Sequence, residues 1–169
     1  HFAALKAVGE SVNKPLEYYF NNLNSLMNVL TCMREFKVPN LVFSSSCTVY
    51  GQADVLPVTE KTPRHEAESP YGNTKVMSED IIRDLMRVEP DMKALALRYF
   101  NPIGAHPTAF IGELPNGVPN NLIPYLTQTA IGIREQLSVF GDDYNTPDGS
   151  PLRDYIDVVD LAQAHVVAI

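Results

Sequence analysis

The sequence predicts an α/β protein built on a parallel sheet, and three features carry that expectation. Two short apolar runs, Asn40-Leu41-Val42-Phe43 and Lys93-Ala94-Leu95-Ala96-Leu97-Arg98-Tyr99-Phe100, read as strands buried on both faces. Long helical patterns alternate with them, and the order helix, strand, helix, strand argues for parallel pairing with right-handed crossovers. Both runs end in polar or turn-forming residues, Ser44 to Thr48 and Tyr99 to Pro102, at the carboxyl ends of strands, where ligands gather in such sheets.

His1-Phe2-Ala3-Ala4-Leu5-Lys6 looks like the end of a buried strand entering a loop that contains Ser11. From Pro15, the residues Leu16, Tyr19, Phe20, Leu23, Leu26, Met27, Leu30 and Met33 recur at helical spacing until Val38-Pro39. Gln52 to Glu68 is rich in proline and charge and reads as a surface loop. Ser69-Pro70 gives an N-cap and first helical position to a helix running to about Val88, stopped by Pro90. Pro102 to Pro119 is a long loop rich in proline and glycine, of the kind that is often functional. Asn120-Asn121 then caps a helix from Leu122 to about Arg134. Leu137 to Phe140 reads as a short strand, Gly141 to Pro151 as a polar turn, Leu152 to Ile156 as a strand and Val158 to Ile169 as a last helix.

With 169 residues, 45% of them hydrophobic, the chain can bury one core and reads as one domain or a large piece of one. A net charge of −7 without a long basic run argues against a phosphate-tracking nucleic-acid surface. Cys32 and Cys47 have neither CxxC spacing nor a disulfide framework, which suits reduced, cytoplasmic thiols. No apolar run reaches transmembrane length and no signal peptide is recognisable, so no membrane partner is expected. The four histidines share no ligand spacing, and no metal is expected. A start at a strand-to-loop transition and a stop inside an apolar helical run predict an internal fragment.

Tyr71 and Lys75 fall one turn apart on the helix that Ser69 opens. A phenol titrates near ~10 in water, yet an ammonium at about 4 Å offers a phenolate about 4 kcal/mol at an effective dielectric near 20, before desolvation opposes it. The pair can therefore make a base near neutral pH. Tyr-x-x-x-Lys is ordinary on half-exposed helices, and Ser44 to Ser46 alone would read as a polar strand end capping its own backbone.

Taken with His1 to Ser11, Ser44 to Gly51, Arg98-Tyr99-Phe100-Asn101-Pro102, Gly104-Ala105-His106-Pro107, Pro119 to Leu122 and Arg153 to Ile156, the Tyr71 helix resembles the extended short-chain dehydrogenase/reductase superfamily, and within it the UDP-galactose 4-epimerase family. The resemblance covers essentially the whole chain. It implies a Rossmann-like doubly wound parallel sheet. Residues 1–101 would be the C-terminal part of the NAD-binding domain, and residues 102–169 substrate-binding loops and helices of a smaller domain. No Gly-x-x-Gly-x-x-Gly or Gly-x-Gly-x-x-Gly loop occurs, so the first βαβ unit is expected before His1, and the isolated fragment is expected to be inactive.

The activity implied is reversible epimerisation of UDP-galactose and UDP-glucose at C4 through a 4-keto sugar with tightly bound NAD, in galactose metabolism. Tyr71 would be the base, Lys75 would bind the nicotinamide ribose and hold down the tyrosine pKa, and Ser46 would hydrogen-bond the 4-oxygen. The resemblance places Phe2, Ala3, Ala4, Leu5, Lys6, Asn21, Ser44, Ser45, Tyr99, Phe100 and Pro102 along NAD. It places Thr48, Asn101, Asn121, Leu122, Leu137, Ser138, Phe140 and Arg153 with Ser46 and Tyr71 on the nucleotide-sugar. Asn21 stands out because a buried amide needs a partner, and Arg153 because its planar fork suits a pyrophosphate. A solvated Lys6, core positions for Phe2 and Phe100, and a salt bridge from Arg153 to Asp154 or Asp157 are the non-functional readings. The family commonly pairs through the helices matching Pro15 to Lys37 and Pro70 to Val88, which implies a homodimer of the full-length protein.

Two rivals remain. A 4,6-dehydratase or decarboxylase of the same superfamily needs an acid where this chain has Cys47-Thr48. A non-catalytic NAD-binding sensor could dispense with Tyr71 or Lys75.

Overall fold

Residues 1–169 are all described by a computed structural model, in which they form two compact units, 1–99 with 167–169 and 100–166. The first unit opens with α1 (Val8–Asn13) and α2 (Pro15–Glu35), followed by β1 (Asn40–Ser46), a 3-10 turn at Cys47–Tyr50, α3 (Pro70–Val88) and β2 (Lys93–Tyr99). Pro15 starts α2 at a position whose missing N–H no helix bond needs. Tyr18, Asn22, Leu26, Leu30 and Met33 then form its buried stripe, at spacings of three or four residues.

β1 and β2 pair in parallel from Asn40 opposite Lys93 to Ser46 opposite Tyr99. Leu26, Leu30 and Met33 of α2 meet Leu41 and Phe43 of β1, Ile82 of α3 and Met92 in one apolar cluster. Each such side chain, once fully buried, contributes about 1.5–3 kcal/mol.

Burial on both faces is not what the strands show. β1 alternates, with Leu41, Phe43 and Ser45 buried and Val42 and Ser44 half-buried, and β2 leaves Leu95 46% exposed because β1 is its single neighbour in this sheet. The opening residues form no strand either. Only His1 joins β1, its backbone nitrogen donating to Val42 O (2.8 Å) and its carbonyl accepting from Ser44 N (3.1 Å). α1 was not foreseen: it has six residues and no apolar period. Contacts from elsewhere hold it, since the Tyr18 hydroxyl accepts from Ala7 N and donates to Glu10 Oε2.

In the second unit, β3 (Asn101–Ile103) pairs in parallel with β4 (Tyr155–Asp157), and α4 (Leu122–Ala130) and α5 (Val158–Val167) are its helices. α4 stops four residues before the expected Arg134. Gly132, at φ +80°, turns the chain so that its N–H reaches Thr129 O and that of Ile133 reaches Gln128 O. The strand expected at 137–140 does not form; Val139 and Phe140 are 81% and 98% exposed, without a ladder partner. The strand expected at 152–156 shrinks to Tyr155–Asp157 because β3 offers only three pairing residues.

Candidate functional site

The site is set by how closely α3 starts against the 3-10 turn. Ser69 caps the helix, its Oγ accepting from Gly72 N (3.1 Å). A Cβ on Gly72 would lie 3.2 Å from the Thr48 Cβ, so glycine permits the approach. The same turn begins at Ser46, whose Oγ accepts from Thr48 N (3.2 Å). That leaves the Ser46 proton free to be donated, and the Ser46 hydroxyl hydrogen-bonds the Tyr71 phenol. The capping bond and the bond to the phenol thus coexist. One turn beyond Tyr71, the Lys75 Nζ donates to Ser44 O (2.8 Å) and lies 5.0 Å and 5.7 Å from the ring centroids of Phe43 and Tyr71.

The electrostatics differ from expectation. Burial pushes the Tyr71 phenol above its ordinary value, the Ser46 hydrogen bond pulling the other way, and Lys75 does not lower it. The ammonium lies over the face of the ring and donates to the Ser44 carbonyl rather than to the phenol oxygen. Burial also acts on Lys75 itself, bringing it down to about 8. Between them, a buried phenol that can ionise, a hydroxyl that donates to it and a buried ammonium can, once the phenol has lost its own proton, accept and relay one from an alcohol. Thr48 Oγ1, buried in the same turn, has no partner.

The buried amide foreseen at position 21 is in fact its neighbour. Asn21 is exposed, whereas Asn22 is 5% exposed and clamps Leu5, accepting from its N–H (2.8 Å) and donating to its carbonyl (3.0 Å). Asn22 also donates to Thr74 Oγ1 (3.1 Å), which donates to Tyr71 O (2.7 Å), so the loop and the Tyr71 turn are tied together. Helical phase separates the two asparagines by about 100°, and only packing decides which one turns inward. Phe2 (70% exposed), Ala3 and Lys6 face outward, and Ala4 is half-buried. Neither Phe2 nor Phe100 (37% exposed) is core. Tyr99 is half-buried and hydrogen-bonds Ser44. Ser45, 1% exposed, donates to Glu79 Oε1. Glu79 and its partner Arg98 were missed as site residues. The available signal was a charged residue inside an apolar strand, together with a carboxylate one turn beyond Lys75.

In the second unit, Asn101 donates from both its backbone N (3.2 Å) and Nδ2 (2.8 Å) to Asp154 O, one residue after Arg153. Arg153 is exposed and donates to Leu152 O (2.7 Å) rather than pairing with Asp154 or Asp157. Pro102 is the exposed middle residue of β3. Asn121 occupies the N-cap of α4 without the expected side-chain bond, and Leu122 follows it, 51% exposed. Leu137, Ser138 and Phe140 lie on an exposed irregular stretch, joined to no element.

The model of the NAD dependent epimerase/dehydratase family matches residues 1–169. Over 169 residues the chain is 57% identical to a UDP-glucose 4-epimerase from Mus musculus and 53% identical to one from Yersinia pestis, covering 100% of this chain and 49% and 50% of theirs. It therefore spans about half the length of the curated relatives it matches. A crystal structure of UDP-glucose 4-epimerase from Bifidobacterium longum in complex with NAD+ and UDP superposes with a TM-score of 0.95 at 52% identity, over 98% of this chain and 50% of that one. The sheet is thus part of a Rossmann-like α/β fold. With a family match along its whole length and a strand tip and Tyr-x-x-x-Lys helix brought together, this chain belongs to the NAD dependent epimerase/dehydratase family.

Proposed function

We propose that the whole protein interconverts UDP-galactose and UDP-glucose at C4, with Tyr71, Lys75 and Ser46 as its catalytic residues. The observation that carries this reading is the meeting of a strand-tip hydroxyl with a phenol, one helical turn from a buried ammonium.

The residues present fit NAD. Lys75 Nζ has three protons and one acceptor in the protein, Ser44 O, which leaves protons for ribose hydroxyls. The Asn22 clamp on Leu5 fixes a loop whose small Ala3 and Ala4 allow a close approach of backbone to cofactor. Phe2, Lys6, Asn21, Ser44, Ser45, Tyr99, Phe100 and Pro102 complete the proposed cofactor side. NAD, when bound, supplies hydride acceptance and return at the sugar C4. Ionised Tyr71 takes the 4-hydroxyl proton and later gives it back. Ser46 donates to the 4-oxygen as that oxygen becomes a carbonyl, and Lys75 favours the ionised phenol once bound hydroxyls order it. Asn101, Asn121, Leu122, Leu137, Ser138, Phe140 and Arg153 hold the UDP part, and the unpartnered Thr48 Oγ1 takes a sugar hydroxyl.

In this reading residues 1–101 belong to the dinucleotide domain and 102–169 to the substrate region. The protein acts in galactose metabolism, in the cytoplasm, as a homodimer. No helix is long and apolar enough to cross a membrane. Elimination or decarboxylation is disfavoured because Cys47-Thr48 supplies no carboxylic acid. In full-length protein, UDP-galactose is expected to yield UDP-glucose, and Tyr71→Phe to lower kcat by about 10²–10⁴-fold. NAD binding without any conversion at high protein concentration would identify a sensor instead.

A further inference from the structure

We propose that Glu79, held by Arg98, is a positioning residue that fixes the Ser44-Ser45-Ser46 tip of β1 where Ser46 meets Tyr71. The inference rests on the reading that Tyr71 and Ser46 act on the substrate.

Glu79 and Lys75 are one turn apart on α3, the helix that also carries Tyr71. They grip consecutive residues of the strand: Lys75 donates to the carbonyl of Ser44 (2.8 Å), and Glu79 accepts from the hydroxyl of Ser45. Ser46 is the next residue along. Glu79 is itself immobilised. Its side chain is 9% exposed, and the Arg98 fork donates to Oε1 from Nε (2.9 Å) and to Oε2 from Nη2 (2.7 Å). Arg98 stands opposite Ser45 in the β1–β2 ladder and lies 4.8 Å over the Tyr50 ring. A second guanidinium, that of Arg64, approaches Oε2 at 3.8 Å and pairs with Asp80 at 2.6 Å. Carboxylate, strand tip and phenol-bearing helix therefore form one hydrogen-bonded frame.

Stability alone gives little reason for it. A largely buried ion pair gains little over well-packed apolar residues of the same volume, because both ions must be desolvated. What the frame supplies is register. A misplacement of about 1 Å between reacting groups can cost about 10²-fold in rate, and Ser46 is the residue next to the Ser45 grip, about 3.8 Å along the chain.

The test uses the full-length protein, with Ser45→Ala and Glu79→Gln against Ser46→Ala and Tyr71→Phe. Ser45→Ala removes the hydroxyl that grips Glu79 and leaves the Glu79–Arg98 pair intact, so it carries the test should Glu79→Gln fail to fold, and bound NAD measured alongside, expected at the wild-type level, separates the grip from the cofactor contact proposed for Ser45. Both framing variants are expected to lower kcat by about ten-fold while the KM for UDP-galactose stays within about two-fold. They should also move the acidic limb of the kcat–pH profile upward, because a phenol that loses the Ser46 hydrogen bond is harder to ionise. If Ser46→Ala and Tyr71→Phe inactivate the enzyme but Ser45→Ala keeps both kcat and the pH profile, Glu79 is a structural residue and the proposal is overturned. If Ser46→Ala and Tyr71→Phe themselves leave activity intact, the underlying site assignment has failed instead.

Discussion

Lys75 shows how far a single residue's chemistry depends on where it is put. The residue is 5% exposed, its ammonium has one protein acceptor, and burial brings its pKa from 10.5 to about 8. The folded state then binds fewer protons than the unfolded chain between about pH 8 and 10.5, so stability rises with pH through that window and the penalty is fully present below it. A shift of this size corresponds to about 3 kcal/mol, partly offset by the bond to Ser44 O. Lys75→Met is accordingly expected to stabilise the fold at pH 7 by roughly 1–2 kcal/mol. In urea unfolding the advantage should shrink towards pH 10, and a variant equally destabilised at both pH values would contradict it. Ser46 joined Tyr71 and Lys75 only through the family resemblance of its flanking residues, whereas the Tyr71–Lys75 spacing was legible locally. The direction of the phenol's shift was not, since it turns on how much protein surrounds the oxygen and where the ammonium points.

Elements ended where local backbone chemistry said they should when that chemistry was simple. α3 begins on the Ser69 cap and Pro70 as expected. α2 and α4 close with the same pattern of C-terminal bonds, and α2 uses Lys37 in the left-handed region (φ +54°) where α4 uses Gly132. A side chain costs roughly 1–2 kcal/mol there, partly offset by the freedom that glycine loses on folding. Lys37→Gly should therefore raise stability by up to about 1 kcal/mol, read as a higher Tm; an unchanged or lower Tm would show that the turn carries no strain. The short elements were illegible for a different reason. α1 exists through bonds from Tyr18, and residues 137–140 have strand-like composition but no partner. A strand is a relation between two segments, and composition describes only one.

Across the first unit, α2 keeps a second apolar stripe besides the one in the core. Leu16, Phe20 and Met27 are 81%, 75% and 43% exposed, at spacings of four and seven that put them on one face. Such a face on one of the two long helices supports the proposed homodimer. Phe20→Glu is expected to turn a dimer of the full-length protein into a monomer by light scattering, with the circular dichroism spectrum unchanged; wild type running as a monomer would rule the pairing out.

The sequence by itself determined the α/β class, the two long helices, the parallel strands and the one-turn spacing of Tyr71 and Lys75, because periodicity, caps and short motifs are written in neighbouring residues. Only the tertiary structure decided that Asn22 rather than Asn21 turns inward, that Glu79 and Arg98 frame the tip, and that burial outweighs the Ser46 hydrogen bond at the phenol. Each of these is set by atoms brought from distant parts of the chain, whose desolvation and hydrogen bonds no local spacing encodes.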